Sequence, residues 1–177
     1  MKTDRSETPD AARLRALPPE ARFSLRAREA HLDRLGEVLG LALPRRTGSR
    51  AAGGGGEALC LGPDEWRIVF PEARKAETVR AMAAAYDEAP HAFADISDRE
   101  ISYVLEGPGA CEIVAMGCPR DLRAIAPGRA TRTIFDGATV ILWRDGPEAF
   151  RIDVWRSFAP HLAALVEIGR TELRAGL

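Results

Sequence analysis

Asp95 and Asp98 stand three residues apart in the stretch "DISDR", with Ser97 between them. A carboxylate there could hold an amine or a pterin nitrogen, because it accepts such hydrogen bonds strongly. The same residue types also close an Asx or Ser turn between two strands, and the turn is the favoured reading. Cys118 is a second group with latent chemistry. As a nucleophile it would need a neighbouring base or a positive environment to form thiolate. Arg120 is the only cation beside it and no histidine is close in sequence, so "GCPRD" reads as a helix exit with a small buried side chain. Cys60 and Cys111 complete an odd set without a C-x-x-C pair, the usage of a reduced, cytoplasmic chain. His31, His91 and His161 have no metal-ligand neighbour at helical spacing, so no metal site is expected. The run Gly53 to Gly56 lacks the Lys and Ser/Thr that would complete a phosphate loop. A flexible hairpin tip fits it better. There is no G-x-G-x-x-G fingerprint, G-x-S-x-G elbow or H-E-x-x-H helix, so the sequence offers no catalytic residues and no cofactor site of its own.

The chain has 177 residues, 46% hydrophobic and 29% charged, with a formal net charge of −1. That is the profile of one globular domain, or of two small units sharing a core. Lys2 and Lys75 are the only lysines, and no basic block or aromatic-basic strip stands out, so nucleic acid is not an expected partner. The first residues, "MKTDRSETPD", contain no apolar core of a signal peptide. The densest apolar run, "ATVILW", is far too short to cross a bilayer, so no membrane association is expected.

The elements that must position these groups follow from periodicity. Residues 1–22 are polar, carry three prolines and read as a flexible N-terminal tail. From there the chain reads as a single α+β domain, residues 23–177. "FSLRAR" is a strand, and a helix with Leu32, Leu35 and Leu39 on one face stops at Gly40. Two weak strands flank the glycine run, and "EWRIVF" alternates Trp66, Ile68 and Phe70 against Arg67 and Val69. A helix over 72–87 then presents Val79, Met82, Ala83 and Tyr86. The second half repeats the order: "HAFADIS", "REISYVLEG", a helix with Ala110, Ile113 and Val114, three strands with turns at Asp136-Gly137 and Asp145-Gly146, and a last helix capped by Ser157. "EWRIVF" aligns with "AFRIDV" at a separation of about 84 residues, too long for a solenoid repeat. The reading is a duplicated β-α-β-β-β-α unit, with pseudo-repeats near 23–88 and 91–174 and mainly antiparallel sheets.

One position points to contact rather than chemistry. In "FRIDVWRSF", Ile152 and Val154 alternate with Arg151, Asp153 and Trp155, which puts Trp155 on the charged face beside Arg151. An exposed Trp next to an Arg is a typical interface anchor. Coverage by another part of the same chain is the competing reading.

The runs "DISDREISYVLEGPGACEIVAMGCPRDL" and "FRIDVWRSF", with "LGPDEW" before them, resemble the gamma subunits of heterotetrameric sarcosine oxidase over about residues 58 to 166. The turn at Leu105-Glu106-Gly107-Pro108 is similar to that of the glycine-cleavage T-protein and related folate-binding proteins. The resemblance implies an aminomethyltransferase (T-protein) folate-binding-domain-like fold, a duplicated α+β unit with swapped first strands. It implies an accessory, bacterial, cytoplasmic subunit of an oxidoreductase of sarcosine catabolism and one-carbon metabolism. FAD, FMN, NAD and tetrahydrofolate would belong to the other subunits. The partners implied are the alpha and beta subunits, with delta as a further candidate. The Lys-Gly-Cys-Tyr signature of the iron–sulfur-repair branch has no match, and the chain is too short for the third T-protein domain. The alternative is a free-standing folate- or pterin-binding module using Asp95 or Asp98. A small thiol enzyme using Cys118 is the weaker third reading.

Overall fold

The structure is a computed structural model that describes residues 12–176. Ten strands form two five-stranded antiparallel sheets, and four helices cover them. The first half contributes β1 (Arg13–Ala16), β2 (Glu20–Ala27), α1 (Leu32–Leu39), β3 (Arg50–Gly53), β4 (Gly56–Gly62), β5 (Glu65–Pro71) and α2 (Lys75–Ala84). The second contributes β6 (His91–Asp95), β7 (Glu100–Glu106), α3 (Ala110–Gly117), β8 (Arg129–Phe135), β9 (Ala138–Gly146), β10 (Ala149–Trp155) and α4 (Ala159–Ala175). One sheet runs β1-β7-β10-β9-β8 and the other β3-β4-β5-β2-β6. Each half therefore lends its first strand to the sheet of the other. Among the described residues no helix is long and apolar enough to cross a membrane.

Strand alternation builds the layers. Trp66, Ile68 and Phe70 of β5 face outward from the sheet pair onto Leu32, Leu35 and Leu39 of α1 and Met82 of α2. Phe150, Ile152 and Val154 of β10 do the same with Ile113 and Val114 of α3 and Leu162 and Val166 of α4. A smaller cluster, Leu59, Ala130, Ile141 and Trp143, lies between the sheets. The order is helix, sheet, sheet, helix. Burying an apolar side chain of this size stabilises by about 1.5–3 kcal/mol, so the two outer layers carry most of the apolar stabilisation.

The registers make the duplication explicit. Glu20 lies opposite Pro71 in one sheet, and Glu100 lies opposite Trp155 in the other. Glu57 lies opposite Val69, and Ile141 opposite Asp153. Position by position, β5 and β10 correspond: Trp66 to Phe150, Arg67 to Arg151, Ile68 to Ile152. The two strands even share one burial pattern from end to end.

Four expectations are corrected. Residues 1–11 of the expected tail lie outside the described residues, but Arg13–Ala16 form β1 against Tyr103 to Glu106, and β2 begins at Glu20. Each half is thus β-β-α-β-β-β-α. A four-residue strand at a sheet edge buries too little to leave a period in the sequence. On α2, Thr78, Met82 and Ala85 point inward, while Val79 (40% exposed) and Tyr86 (54%) point outward. Met82 anchors this face in the core, with the smaller Thr78 and Ala85 beside it, while the larger Val79 and Tyr86 lie on the neighbouring, open face. Ser157 does not cap α4: Phe158 holds the N-cap position without a side-chain bond, and Pro160 sits in the first turn. The glycine run is a tight turn rather than a loose one. Gly54 and Gly55 have φ of 55° and 77°, the left-handed pair that a two-residue hairpin demands. Arg74 ties the tip down by donating to the Gly54 carbonyl.

Candidate functional site

The inner faces of both sheets carry charge, and they face each other. Arg67 on β5 makes a two-pronged ion pair with Glu100 on β7, across the gap between sheets, and both side chains are 4% exposed. Arg99 adds a second guanidinium to Glu100 at 2.8 Å. Arg22 on β2 donates to Ser102 Oγ at 2.6 Å and to the Glu100 carbonyl oxygen at 3.2 Å. The Ser102 hydroxyl donates to Asp153, whose other oxygen accepts from Trp143 Nε1 at 2.8 Å. On the pseudo-equivalent side Arg151 pairs with Glu57, Arg50 donates to Glu57 at 2.7 Å and Asp145 at 2.6 Å, and both arginines lie over the Trp143 ring.

Buried charges persist only when paired, and here the pairing is dense. Burial pushes the Glu100 carboxyl up, but its bonds to Arg67 and Arg99 outweigh this and hold it below the usual carboxylate range. Glu57 behaves alike: burial raises it, and Arg151 and Arg50 bring it lower than ordinary. Glu20, the twin of Glu100, goes the other way. Burial raises it and the charge of Arg22 only partly offsets that. The reason is in the pairing: Arg151, twin of Arg67, is turned to Glu57 instead. Among the described residues, two buried side-chain atoms, Nε of Arg22 and Nε of Arg151, have no hydrogen-bond partner, although Arg151 Nε lies 3.7 Å from an Asp145 oxygen.

A cavity of about 310 Å³ opens beside this network, lined by Arg26, Glu65, Arg67, Arg99, Glu100, Arg132, Asp153 and Trp155 among others. Arg67 and Glu100 form its floor. Trp155 is 45% exposed, with the Arg99 guanidinium 5.7 Å from its ring centre. The arrangement can bind and orient a group. Of its carboxylates, Glu65 and Glu100 are each paired to two arginines, and Asp153 accepts from the Ser102 hydroxyl and the Trp143 indole. Among the described residues no group of three or more side chains could hold a metal ion.

The residues singled out in the sequence are dispersed. Burial pushes the Asp95 carboxyl up, but bonds from the Ser97 hydroxyl and amide (the latter at 2.9 Å) and a pairing with Lys75 at 3.2 Å outweigh it and hold the carboxyl below the usual range. That is an Asx turn. Asp98 is exposed and lines a different cavity, of about 300 Å³, with Ser97 and Arg156. Cys118 is buried, 3.7 Å from the Thr133 hydroxyl. Trp155 is on the charged face as the alternation placed it, but its companion is corrected: Arg151 is turned inward, 9% exposed, and ion-paired. The second sheet covers the middle of β10, where Arg151 sits, and leaves its end open. Arg67, Glu100, Glu57 and Asp153 were not singled out. The signal was an arginine inside "WRIVF" and again inside "FRIDV": a charge amid apolar strand residues needs a partner.

This architecture places the chain in the structural class of the T-protein. Aminomethyltransferase T of the glycine cleavage system from Bartonella henselae superposes with a TM-score of 0.68 over 97% of this chain and 53% of that one, at 15% identity, a likeness of fold alone. No family model matches. The chain is 35% identical over 130 residues to the sarcosine oxidase gamma subunit of Corynebacterium sp. strain P-1, covering 72% of this chain and 63% of that protein. With the corresponding subunit of Arthrobacter sp. it shares 33% over 121 residues, 67% and 59% of the two chains. It thus spans about three fifths of the length of these relatives. A solved heterotetrameric sarcosine oxidase from Corynebacterium sp. U-96, in complex with pyrrole 2-carboxylate, contains a chain that superposes with a TM-score of 0.85 at 27% identity, over 94% of this chain and 88% of that one. The chain is a homologue of the sarcosine oxidase gamma subunits.

Proposed function

We propose that this chain is the accessory, non-catalytic gamma subunit of a heterotetrameric sarcosine oxidase. The assembly would convert sarcosine to glycine, reduce oxygen to peroxide and pass the one-carbon unit to tetrahydrofolate. In this reading FAD, FMN, NAD and the folate sit in the alpha and beta subunits, and the complex, with delta as a further member, is cytoplasmic. The observation that carries it is the 0.85 superposition over nearly the whole of both chains. The site supports it: Arg67 with Glu100 and Arg151 with Glu57 tie the two sheets into one body.

The test is co-expression with the alpha and beta chains of the same organism, followed by gel filtration. The expected result is co-elution, while the chain purified alone is colourless and does not oxidise sarcosine. A flavin spectrum retained by the isolated chain overturns the reading. Tight tetrahydrofolate binding by the isolated chain, lost in Asp95→Ala or Asp98→Ala, favours a free-standing folate-binding module instead.

A further inference from the structure

The internal twofold supplies a control for judging which surface features the fold requires. The cavity beside Arg67 and Glu100 has a twin of about 460 Å³, lined by Glu20, Gly56, Glu57, Val69 and Pro71, the equivalents of Glu100, Val140, Ile141, Asp153 and Trp155. Pro71 stands where the second half has Trp155, so the fold does not need an aromatic ring there. The rim differs as sharply. Arg26 faces Glu65, and its counterpart facing Ala149 is Glu106. Arg132 faces Ile141, and its counterpart facing Glu57 is Ala52. Arg99 precedes Glu100 as Pro19 precedes Glu20. One cavity mouth has gained three arginines and a tryptophan that the other lacks.

The lining of this mouth carries one cation in excess: Arg26, Arg67, Arg99 and Arg132 against Glu65, Glu100 and Asp153. Arg26 and Arg132 both reach the single carboxylate of Glu65, and Arg67 and Arg99 share that of Glu100. Asp64, which also meets Arg26, lies outside the cavity lining. The rim side chains of Arg26, Arg99 and Arg132 are 54%, 43% and 44% exposed, while Glu65 is 15% and Glu100 4% exposed. Within the lining, positive charge therefore points outward and negative charge lies at the floor, while Asp64, 60% exposed, adds a carboxylate just outside it beside Arg26. Beside it the Trp155 ring is half open, and Phe158, whose amide donates to the Trp155 carbonyl, is 44% exposed.

We infer that this mouth is the docking surface for a partner polypeptide, an acidic segment that brings a carboxylate to Arg26 and Arg132 and an apolar side chain onto Trp155. Guanidiniums take carboxylates in a fixed, two-pronged geometry, and Trp and Arg are the residue types that dominate binding at interfaces. The inference rests on the assembly proposed above and names the face through which this chain would join it.

The experiment measures the affinity of the chain for its co-expressed alpha and beta subunits at low and at high salt. Trp155→Ala is expected to weaken binding roughly thirtyfold. The double variant Arg26→Gln/Arg132→Gln is expected to weaken it and to flatten its salt dependence, since screening acts on exposed charge. Glu106→Gln, at the twin position, serves as the control and leaves affinity unchanged. Melting temperatures of the isolated variants are read alongside. Wild-type binding that neither variant alters overturns the inference and leaves the assembly standing. No association of the wild-type chain overturns both. An affinity loss matched by a collapsed melting temperature in both variants shows that these residues hold the fold. A dimer of the isolated chain, lost in Trp155→Ala, assigns the surface to a second copy instead.

Discussion

Arg67 and Glu100 illustrate how a charged residue can sit in the middle of a protein. Each is almost fully buried, and each is the reason the other can be. Removing one partner leaves an uncompensated charge, which costs about 3–5 kcal/mol, whereas replacing both with apolar residues of similar volume is often neutral or stabilising. Glu100→Ala is therefore expected to destabilise the isolated chain by about 3–5 kcal/mol, and Arg67→Met/Glu100→Leu to recover most of that. Urea denaturation of both variants checks it. A single and a double variant of equal stability would mean that the pair does not act as a unit. The alternation around Arg67 was legible: its neighbours Trp66 and Ile68 belong to the opposite face. What covers the polar face was not. Period two assigns a residue to a side of a strand and carries no information about the sheet beyond it. Two polar faces became a shared interior because the duplication stacked them, and a partner such as Glu100, 33 residues away, is visible only once they are stacked.

At the scale of elements, glycine shows the same division. The hairpin between β3 and β4 was readable from four glycines in a row, but not which of them the fold depends on. Gly55 has φ of 77° and open space around it, while Gly56 is pressed against the Phe70 ring and the Val69 carbonyl. A Cβ at Gly56 would fall 2.3 Å from Phe70 and 2.5 Å from the Val69 oxygen, and a backbone atom cannot swing aside. Gly56→Ala is expected to cost about 1–3 kcal/mol through overpacking. Gly55→Ala should cost about 1 kcal/mol from its left-handed backbone alone. Thermal melts of the two variants rank them, and the reverse order would place the strain in the turn and not in the packing. The helices were readable where large residues faced the sheet, as Leu32, Leu35 and Leu39 do. On α2 the inward face is Thr78, Met82 and Ala85. A periodicity that weights side chains by size turns such a helix the wrong way. β1 was lost for a related reason: only Leu14 among its four residues is even half-buried.

For the whole molecule the paired carboxylates set how stability follows pH, with Glu57 and Glu100 acting in one direction and Glu20 in the other. The Glu100 and Glu57 carboxyls lie below the ordinary range, chiefly through Arg67 and Arg151 winning over burial. In the window between the folded value and the unfolded value of about 4.3, the unfolded chain binds protons that the native protein does not. Their contribution is complete above that window and is lost as pH falls through the folded values. Glu20 is raised by burial, so above its unfolded value the native protein is the form that binds the extra proton. Its ionisation costs stability as pH rises through the raised value, and protonation relieves that cost. Acidifying from neutrality should first stabilise the chain slightly, then destabilise it as Glu57 and Glu100 protonate. Glu20→Gln is expected to remove the first limb and raise stability most at neutral pH, leaving the acid limb intact. Arg67→Met/Glu100→Leu is expected to shrink the acid limb and leave the first. Urea midpoints across pH 3 to 8 for the three proteins decide it. A wild-type curve that falls monotonically from neutrality would show that Arg151, and not solvent or Arg22, already compensates Glu20, and that the twofold is closer to exact in its electrostatics than in its hydrogen bonds.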